Sequence, residues 1–394
     1  MIIAEINTGF RGSTGGIMLG TASLARENGH SVFTFSSYKN ETPPKGHYYI
    51  GSKNSSLLNR IRSVFTGISE KGSTSATKKL IKKLDELGTE VLHLHNLHGW
   101  YLNVPLLFEY IRRKKLKVIW TLHDCWGFTA QCSHFEYEGC QKWRDGCFKC
   151  PRYRVYPYTY VDRTKKMWQL KKKWFSDVEN LTIVTPSKWL ANLAKQSFLK
   201  EYPIKVINNG INLDIFKPTE SDFRKKYNLE DKKIVLGVAS SWSNRKGLDV
   251  FIELSKRLPS NYQIVLVGTN DEVDKQLPNN IISIHRTNNQ KELAEIYSAS
   301  DVFANPTKEE VLGLVNVEAL ACGTPVVTFN AGGSPECVNE NCGSIVEIDD
   351  IEAFEKEIIR ICEEKPYAKE DCFAKAREFD KNSKFKEYVE LYNN

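Results

Sequence analysis

The chain has 394 residues, 41% hydrophobic and 26% charged, and a formal net charge of +7. That length suits two domains of roughly 180 to 200 residues each, and the composition excludes a disordered chain, a collagen-like repeat and a disulfide-rich miniprotein. No run approaches the roughly 20 uninterrupted apolar residues of a membrane span.

Residues 1–6 lead straight into a strand pattern, without the basic region and apolar core of a secretory signal, so the expected compartment is the cytoplasm. There the ten cysteines are expected to stay reduced or to bind metal. The strand at 2–6 is followed by a glycine-rich loop over 9–16 and a helix over 17–28 that Gly29 stops. Gly9, Gly12 and Gly15 have the wrong spacing for a dinucleotide fingerprint. Gly15 and Gly16 still let backbone amides approach a phosphate or a sugar. Further strands are predicted at 31–35, 91–95, 118–122 and 183–185 with helices between them, the rhythm of a parallel α/β domain. His93 and His95 are read as facing opposite sides of their strand and, with His98, as candidates for an acceptor side. His123 and Asp124 stand at the carboxyl end of the 118–122 strand.

Cys132, Cys140, Cys147 and Cys150 come next, spaced C-x7-C-x6-C-x2-C, with His134 close by. The last pair has zinc-ribbon spacing. Structural zinc, disulfide pairs and unligated thiols all fit, but four thiolates would leave no open position for a catalytic metal. Three basic clusters also lie in this half: Lys78, Lys79, Lys82 and Lys83, then 112–117, then 163–174. Each can be a solvated helix face, yet together they suit a polyanionic or membrane-surface partner. The third, with Met167, Trp168, Leu170 and Trp174 among its lysines, is read as an interfacial helix with its aromatics inserted in an anionic bilayer.

After a linker expected within 203–218 the rhythm repeats, with strands at 233–238, 263–267, 281–285, 301–304 and 325–329 and helices at 248–257, 290–299, 314–322 and 351–364. In such sheets ligands sit beyond the carboxyl ends of the strands. Three motifs fall there. Arg245, Lys246 and Gly247 form a strand-to-helix turn suited to a diphosphate. Glu310 and Glu318 flank a helix start inside the run from Asn305 to Val327, which ends Ala321-Cys322-Gly323-Thr324-Pro325-Val326-Val327. Ala331-Gly332-Gly333-Ser334-Pro335-Glu336 is a third loop, whose glycines permit close backbone approach.

That long run resembles the E-x7-E signature of retaining glycosyltransferases of family 4, and the two-domain rhythm extends the likeness to essentially the whole chain. The resemblance implies an α/β, GT-B fold: two Rossmann-like doubly wound domains facing across a cleft. The expected boundaries are 1–205 for an acceptor-side domain with a Cys-rich insertion at about 125–160, 206–375 for a nucleotide-sugar domain, and 376–394 for a helix returning to the first domain. It implies catalytic roles for Glu310, His123 and Lys246. Donor binding would involve Gly15, Gly16, Arg245, Lys246, Glu310, Leu314, Val315, Glu318, Gly332 and Gly333. The family's usual arginine lies five residues before the lysine, where this chain has Ser241, so Arg245 is expected to take its part. The chain contains no Asp-x-Asp triplet, and a metal-independent transfer without a catalytic cofactor is expected. The donor would be a UDP- or GDP-sugar. The acceptor would be a glycan or lipid-linked glycan of a bacterial capsule, O-antigen or exopolysaccharide, at the inner membrane face. A nucleotide-sugar epimerase would need the same nucleotide site without an acceptor. A zinc-ribbon nucleic-acid-binding protein would explain residues 60–175 but not the motifs after 234, and no nucleic-acid partner is expected.

Overall fold

The computed structural model describes residues 1–39 and 41–394, and its contacts divide the chain into two compact units, Met1–Ile207 with Phe385–Asn394, and Asn208–Lys384. In the first unit β1 (Ile2–Asn7), β2 (Ser31–Ser37), β3 (His47–Ile50), β4 (Val91–Leu94), β5 (Lys117–Thr121), β6 (Leu181–Thr185) and β7 (Ile204–Val206) form one parallel sheet in the order 3-2-1-4-5-6-7. The connections carry α1 (Gly12–Glu27), α2 (Lys53–Thr66), α3 (Thr74–Leu87), α4 (Val104–Lys114), α5 (Thr164–Phe175) and α6 (Lys188–Ala194). Helices cover both faces, so central strands such as β4 are buried along their whole length. The order reverses direction between β1 and β4, the switch point where open sheets of this kind bind ligands.

The helix α1 starts at Gly12, earlier than the expected 17, which puts Gly15 and Gly16 in its first turn rather than in a loop. A Cβ on Gly15 would lie 2.4 Å from the carbonyl carbon of Phe10, so only glycine lets the helix begin hard against the preceding loop. The expected interfacial helix at 163–174 is also corrected. In α5 Met167, Lys171, Trp174 and Phe175 are buried, and Trp168 Nε1 donates to Trp143 O at 2.8 Å. Lys171 Nζ sits 3.5 Å from the centre of the Trp126 ring and bonds the Trp126 carbonyl, while burial pulls its ammonium down to about 7. Of the two tryptophans that looked available to a bilayer, Trp174 is core and Trp168 is half-buried.

The outward apolar surface lies instead on α2. Its inward side is Ser55, Ser56, Asn59 and Ser63, with Asn59 Nδ2 bonded to Trp100 O at 3.2 Å. Its exposed side carries Leu57, Leu58 (67% exposed), Ile61 and Phe65 (64% exposed), interspersed with Arg60 and Arg62. This inverts the usual amphipathic pattern. The ring of Phe65 lies 5.3 Å from that of Tyr160, which is itself exposed.

The second unit holds α7 (Phe223–Lys226), β8 (Lys233–Val238), α8 (Leu248–Arg257), β9 (Tyr262–Val267), α9 (Asp271–Asp274), β10 (Ile281–Ile284), α10 (Gln290–Ala299), β11 (Val302–Asn305), α11 (Leu314–Ala321), β12 (Val326–Phe329), β13 (Gly343–Val346), α12 (Ile351–Glu364) and α13 (Lys369–Arg377). Its parallel sheet has the order 10-9-8-11-12-13, the same winding as the first, with the reversal between β8 and β11. Alternate residues feed two cores: Ile234, Leu236 and Phe303 point to one face, Val235, Val302 and Ala304 to the other. The last helix, α14 (Lys381–Asn393), follows a turn at which Lys381 N–H donates to Ile211 O at 3.0 Å. The second unit therefore runs to Lys384 rather than to 375, and only Phe385–Asn394 joins the first.

Candidate functional site

In the second unit the motifs converge on the switch point. Gly247, at φ +78°, lets the turn after β8 lie against the segment after β11; a Cβ there would stand 2.4 Å from Pro306 O. That approach brings Lys246 Nζ to Glu310 Oε2 at 2.6 Å, a pair with both side chains about four-fifths buried. Glu310 Oε1 also accepts from Val311 N–H at 3.0 Å. Gly332 and Gly333 support Glu310 from behind. Gly333 N–H donates to Glu310 O at 2.9 Å, and a Cβ on Gly332 would sit 1.9 Å from that oxygen. The small size of Gly332 is thus accounted for by the backbone of Glu310.

Glu318, the other carboxylate, keeps a little exposed surface, but desolvation pushes its pKa up to about 7, against a 3.2 Å hydrogen bond from Tyr297 OH that pulls it down. Helices α8 and α11 both begin on glycines with no side-chain cap, whereas α10 and α12 are capped by Asn289 and Asp350. Uncapped N-terminal amides and their dipoles favour an anion. Leu314 and Val315 open α11 and are partly exposed. The Arg245 guanidinium makes no ion pair among the described residues, and its carbonyl accepts from Lys308 N–H at 2.9 Å. Lys308 Nζ is held by Asp249 and Asp349, at 2.8 and 2.7 Å. The second unit therefore places Arg245, Lys246, Glu310 and the N-termini of α8 and α11 beyond the carboxyl ends of the central strands β8 and β11, with Glu318 one turn into α11.

In the first unit the loops after β1 and β4 meet: Thr8 Oγ1 donates to Asn96 O at 3.0 Å and to His98 O at 2.8 Å. They line a pocket of about 460 Å³ with Gly9, Gly12, His98 and Tyr156. Gly16 is exposed, with nothing within 4 Å of where its Cβ would be. His98 is drawn in as an ion-pair partner of Asp124 at 3.2 Å; burial pulls its pKa down, but Asp124 and Glu70 outweigh that and raise it.

His93 and His95 share one face, with ring centres 4.1 Å apart, because residues two apart in a strand point the same way; the opposite-face expectation is wrong. They belong to a buried network missed in the sequence. His95 Nδ1 lies 3.0 Å from His123 Nε2, and His95 Nε2 lies 3.3 Å from Glu5 Oε2. Thr21 and Tyr392 hydroxyls donate to Glu5, and Tyr392 OH is 2.7 Å from His93 Nδ1. Burial pushes Glu5 up to about 8 and pulls His95 and His123 down to about 3, so the network is neutral near pH 7. It is satisfied when Glu5 donates its acid proton to His95 Nε2 and His95 Nδ1–H donates to His123 Nε2. His123 Nδ1, which has no hydrogen-bond partner among the described residues, then carries a proton that it can donate. The one sequence signal was a carboxylate in the middle of an otherwise apolar strand.

The glycosyltransferase family 4 profile matches residues 18–215, half of the chain, and the profile of group 1 glycosyl transferases matches residues 219–384. The chain belongs to glycosyltransferase family 4. A relative named as the colanic acid biosynthesis glycosyl transferase WcaC of Escherichia coli is 24% identical over 334 residues, covering 78% of this chain and 77% of that protein. Among solved structures, sucrose-phosphate synthase from Thermosynechococcus elongatus superposes with a TM-score of 0.72 at 19% identity, over 100% of this chain and 98% of that one. HepE of Anabaena, solved in complex with UDP, gives 0.70 at 15% identity over 100% of both chains. These likenesses show the GT-B fold, in which this glycosyltransferase's two doubly wound units are the expected halves.

Proposed function

We propose that this glycosyltransferase moves a sugar from a UDP- or GDP-sugar to a hydroxyl of a lipid-linked glycan in surface-polysaccharide assembly, with retention of anomeric configuration and without a catalytic metal. The observation that carries the reading is the Lys246–Glu310 pair at the switch point of the second sheet. In the reaction the bond from C1 to the diphosphate oxygen breaks with its electron pair going to the diphosphate. The acceptor oxygen bonds C1 on the same face and its proton passes to the departing phosphate oxygen. Lys246, Arg245 and the N-terminus of α8 would stabilise the charge that develops there. Glu310 would hold Lys246 and accept from donor-sugar hydroxyls, Glu318 would accept from the ribose, and His123 would donate to the sugar. Gly15 and Gly16 would let the start of α1 approach the diphosphate. The names of the WcaC relative and of the UDP-bound HepE support the pathway class and the nucleotide. No helix among the described residues is long and apolar enough to cross a membrane. Attachment to an anionic bilayer is assigned to the exposed Leu57, Leu58, Ile61 and Phe65 of α2 and its arginines.

A thermal-shift panel of nucleotide sugars tests the donor site, because a ligand of the folded state raises its apparent stability. One UDP- or GDP-sugar is expected to raise Tm in the wild type and to do so far less in Lys246→Ala. Equal shifts in both proteins would remove Lys246 from the site.

A further inference from the structure

Between β5 and α5 the chain runs through residues 122–163 with one short 3-10 turn, Cys125–Gly127, as its only helix or strand. Its first part is anchored by buried side chains: Trp126, Phe128, Phe135 and Trp143 are core, and Phe128 and Phe135 each have ring centres 5.2 Å from Trp143. With almost no helix or strand, the segment has little regular backbone hydrogen bonding to offset its ordering entropy.

Cys132, Cys140, Cys147 and Cys150 all line a single cavity of about 30 Å³ in this segment, room for one small ion. The Cys132 thiol hydrogen-bonds that of Cys150 across it. Two sulfurs also receive backbone donors: Cys147 Sγ from Ala130 N–H and Cys150 Sγ from Arg152 N–H. Donors of that kind orient thiolates and stabilise their charge in metal sites. The Cys147–Cys150 turn is curled by left-handed backbone at Cys147 (φ 46°) and Lys149 (φ 44°), neither of them glycine. Non-glycine residues hold such angles only where surrounding structure demands it. Charge is matched as well. Four thiolates around a divalent cation carry a net charge of −2, and Arg152, Lys142 and Lys171 all lie within electrostatic reach of the sulfurs.

We infer that these four cysteines hold a structural zinc ion. Zinc takes four thiolates tetrahedrally with bonds near 2.3 Å, which sets the sulfurs about 3.8 Å apart. Among the described residues no three of these sulfurs lie within 4.8 Å of one another, so zinc binding would require them to move together. The site leaves no open position and takes no direct part in transfer. Its effect reaches the site through Asp124, which follows His123 and caps the 125–127 turn through a 2.8 Å bond to Trp126 N–H. Metal binding is folding free energy for such a segment.

Elemental analysis of the full-length protein, purified under reducing conditions without added zinc, tests this. About one zinc per chain is expected, released by an organomercurial that titrates thiolates. Cobalt exchanged into the wild-type protein is expected to show thiolate-to-cobalt charge-transfer absorption, a reading that needs no variant to fold. Cys147→Ser should lower the zinc content at least about tenfold, while Cys322→Ser, a buried thiol of the second unit, should leave it unchanged. Three results would each overturn the proposal: zinc far below one per chain with the protein folded, iron in its place, or intact mass under non-reducing conditions showing disulfides among the four.

Discussion

At the scale of single residues the account turns on two carboxylates in opposite electrostatic settings. Glu310 is paired with a lysine, so Glu310→Gln keeps the shape but removes the charge that holds Lys246 and accepts from the sugar. We predict a fall in kcat of about 100-fold or more with little change in nucleotide affinity, since the loss falls on the developing charge rather than on ground-state binding. Near-normal transfer would take Glu310 out of the mechanism. Glu5 has no compensating cation near enough to overcome its burial, and it titrates at about 8. Above that pH it becomes an acceptor, His95 reverses its protons to donate to it, and His123 Nδ1 changes from donor to acceptor. Activity should therefore fall as pH rises through about 8, and Glu5→Gln, which still donates to His95, should flatten that limb; an unchanged limb would separate Glu5 from His123. The sign for stability is the same. A carboxyl with a raised folded-state pKa binds more protons folded than unfolded, so its contribution is lost as pH rises from the ordinary carboxylate range to about 8.

At the scale of elements, what could be read in the sequence was local. Glu310, Gly313, Leu314 and Glu318 lie in one strand–loop–helix passage, and Lys246-Gly247 in one turn, so spacing alone put them at sheet edges. The Glu5 network could not be found that way, because Glu5, Thr21, His95, His123 and Tyr392 come from three strands or strand ends and two helices. Gly332 and Gly333 were read as facing a ligand, and for Gly332 the Glu310 carbonyl supplies a nearer reason. The helix α5 misled because lysines interleaved with tryptophans describe a surface and a core equally well until Lys171 finds the Trp126 ring and carbonyl. The helix α2 carried the opposite signal. Its serines face inward and its leucines outward, so we predict that binding to anionic vesicles depends on it. Co-sedimentation should fall sharply for the double variant Leu58→Glu with Phe65→Glu and weaken with salt for the wild type. Equal sedimentation of both proteins would leave α2 without a bilayer.

At the scale of the whole molecule, two sheets of the same winding each gather polar groups at their switch point, anionic-ligand groups in the second unit and a neutral histidine network in the first. A short return of the chain, Phe385–Asn394, supplies the Tyr388 and Tyr392 hydroxyls to that first network, where they meet Thr121 and His93. In the proposed reaction the leaving diphosphate is stabilised and the acceptor bonds the sugar on the same face. The stereochemical outcome tests that most directly: proton NMR of the product formed from an α-linked nucleotide sugar, with nucleotide release followed in parallel. The account predicts an α-linked product with no β-anomer, and a β-linked product would contradict it.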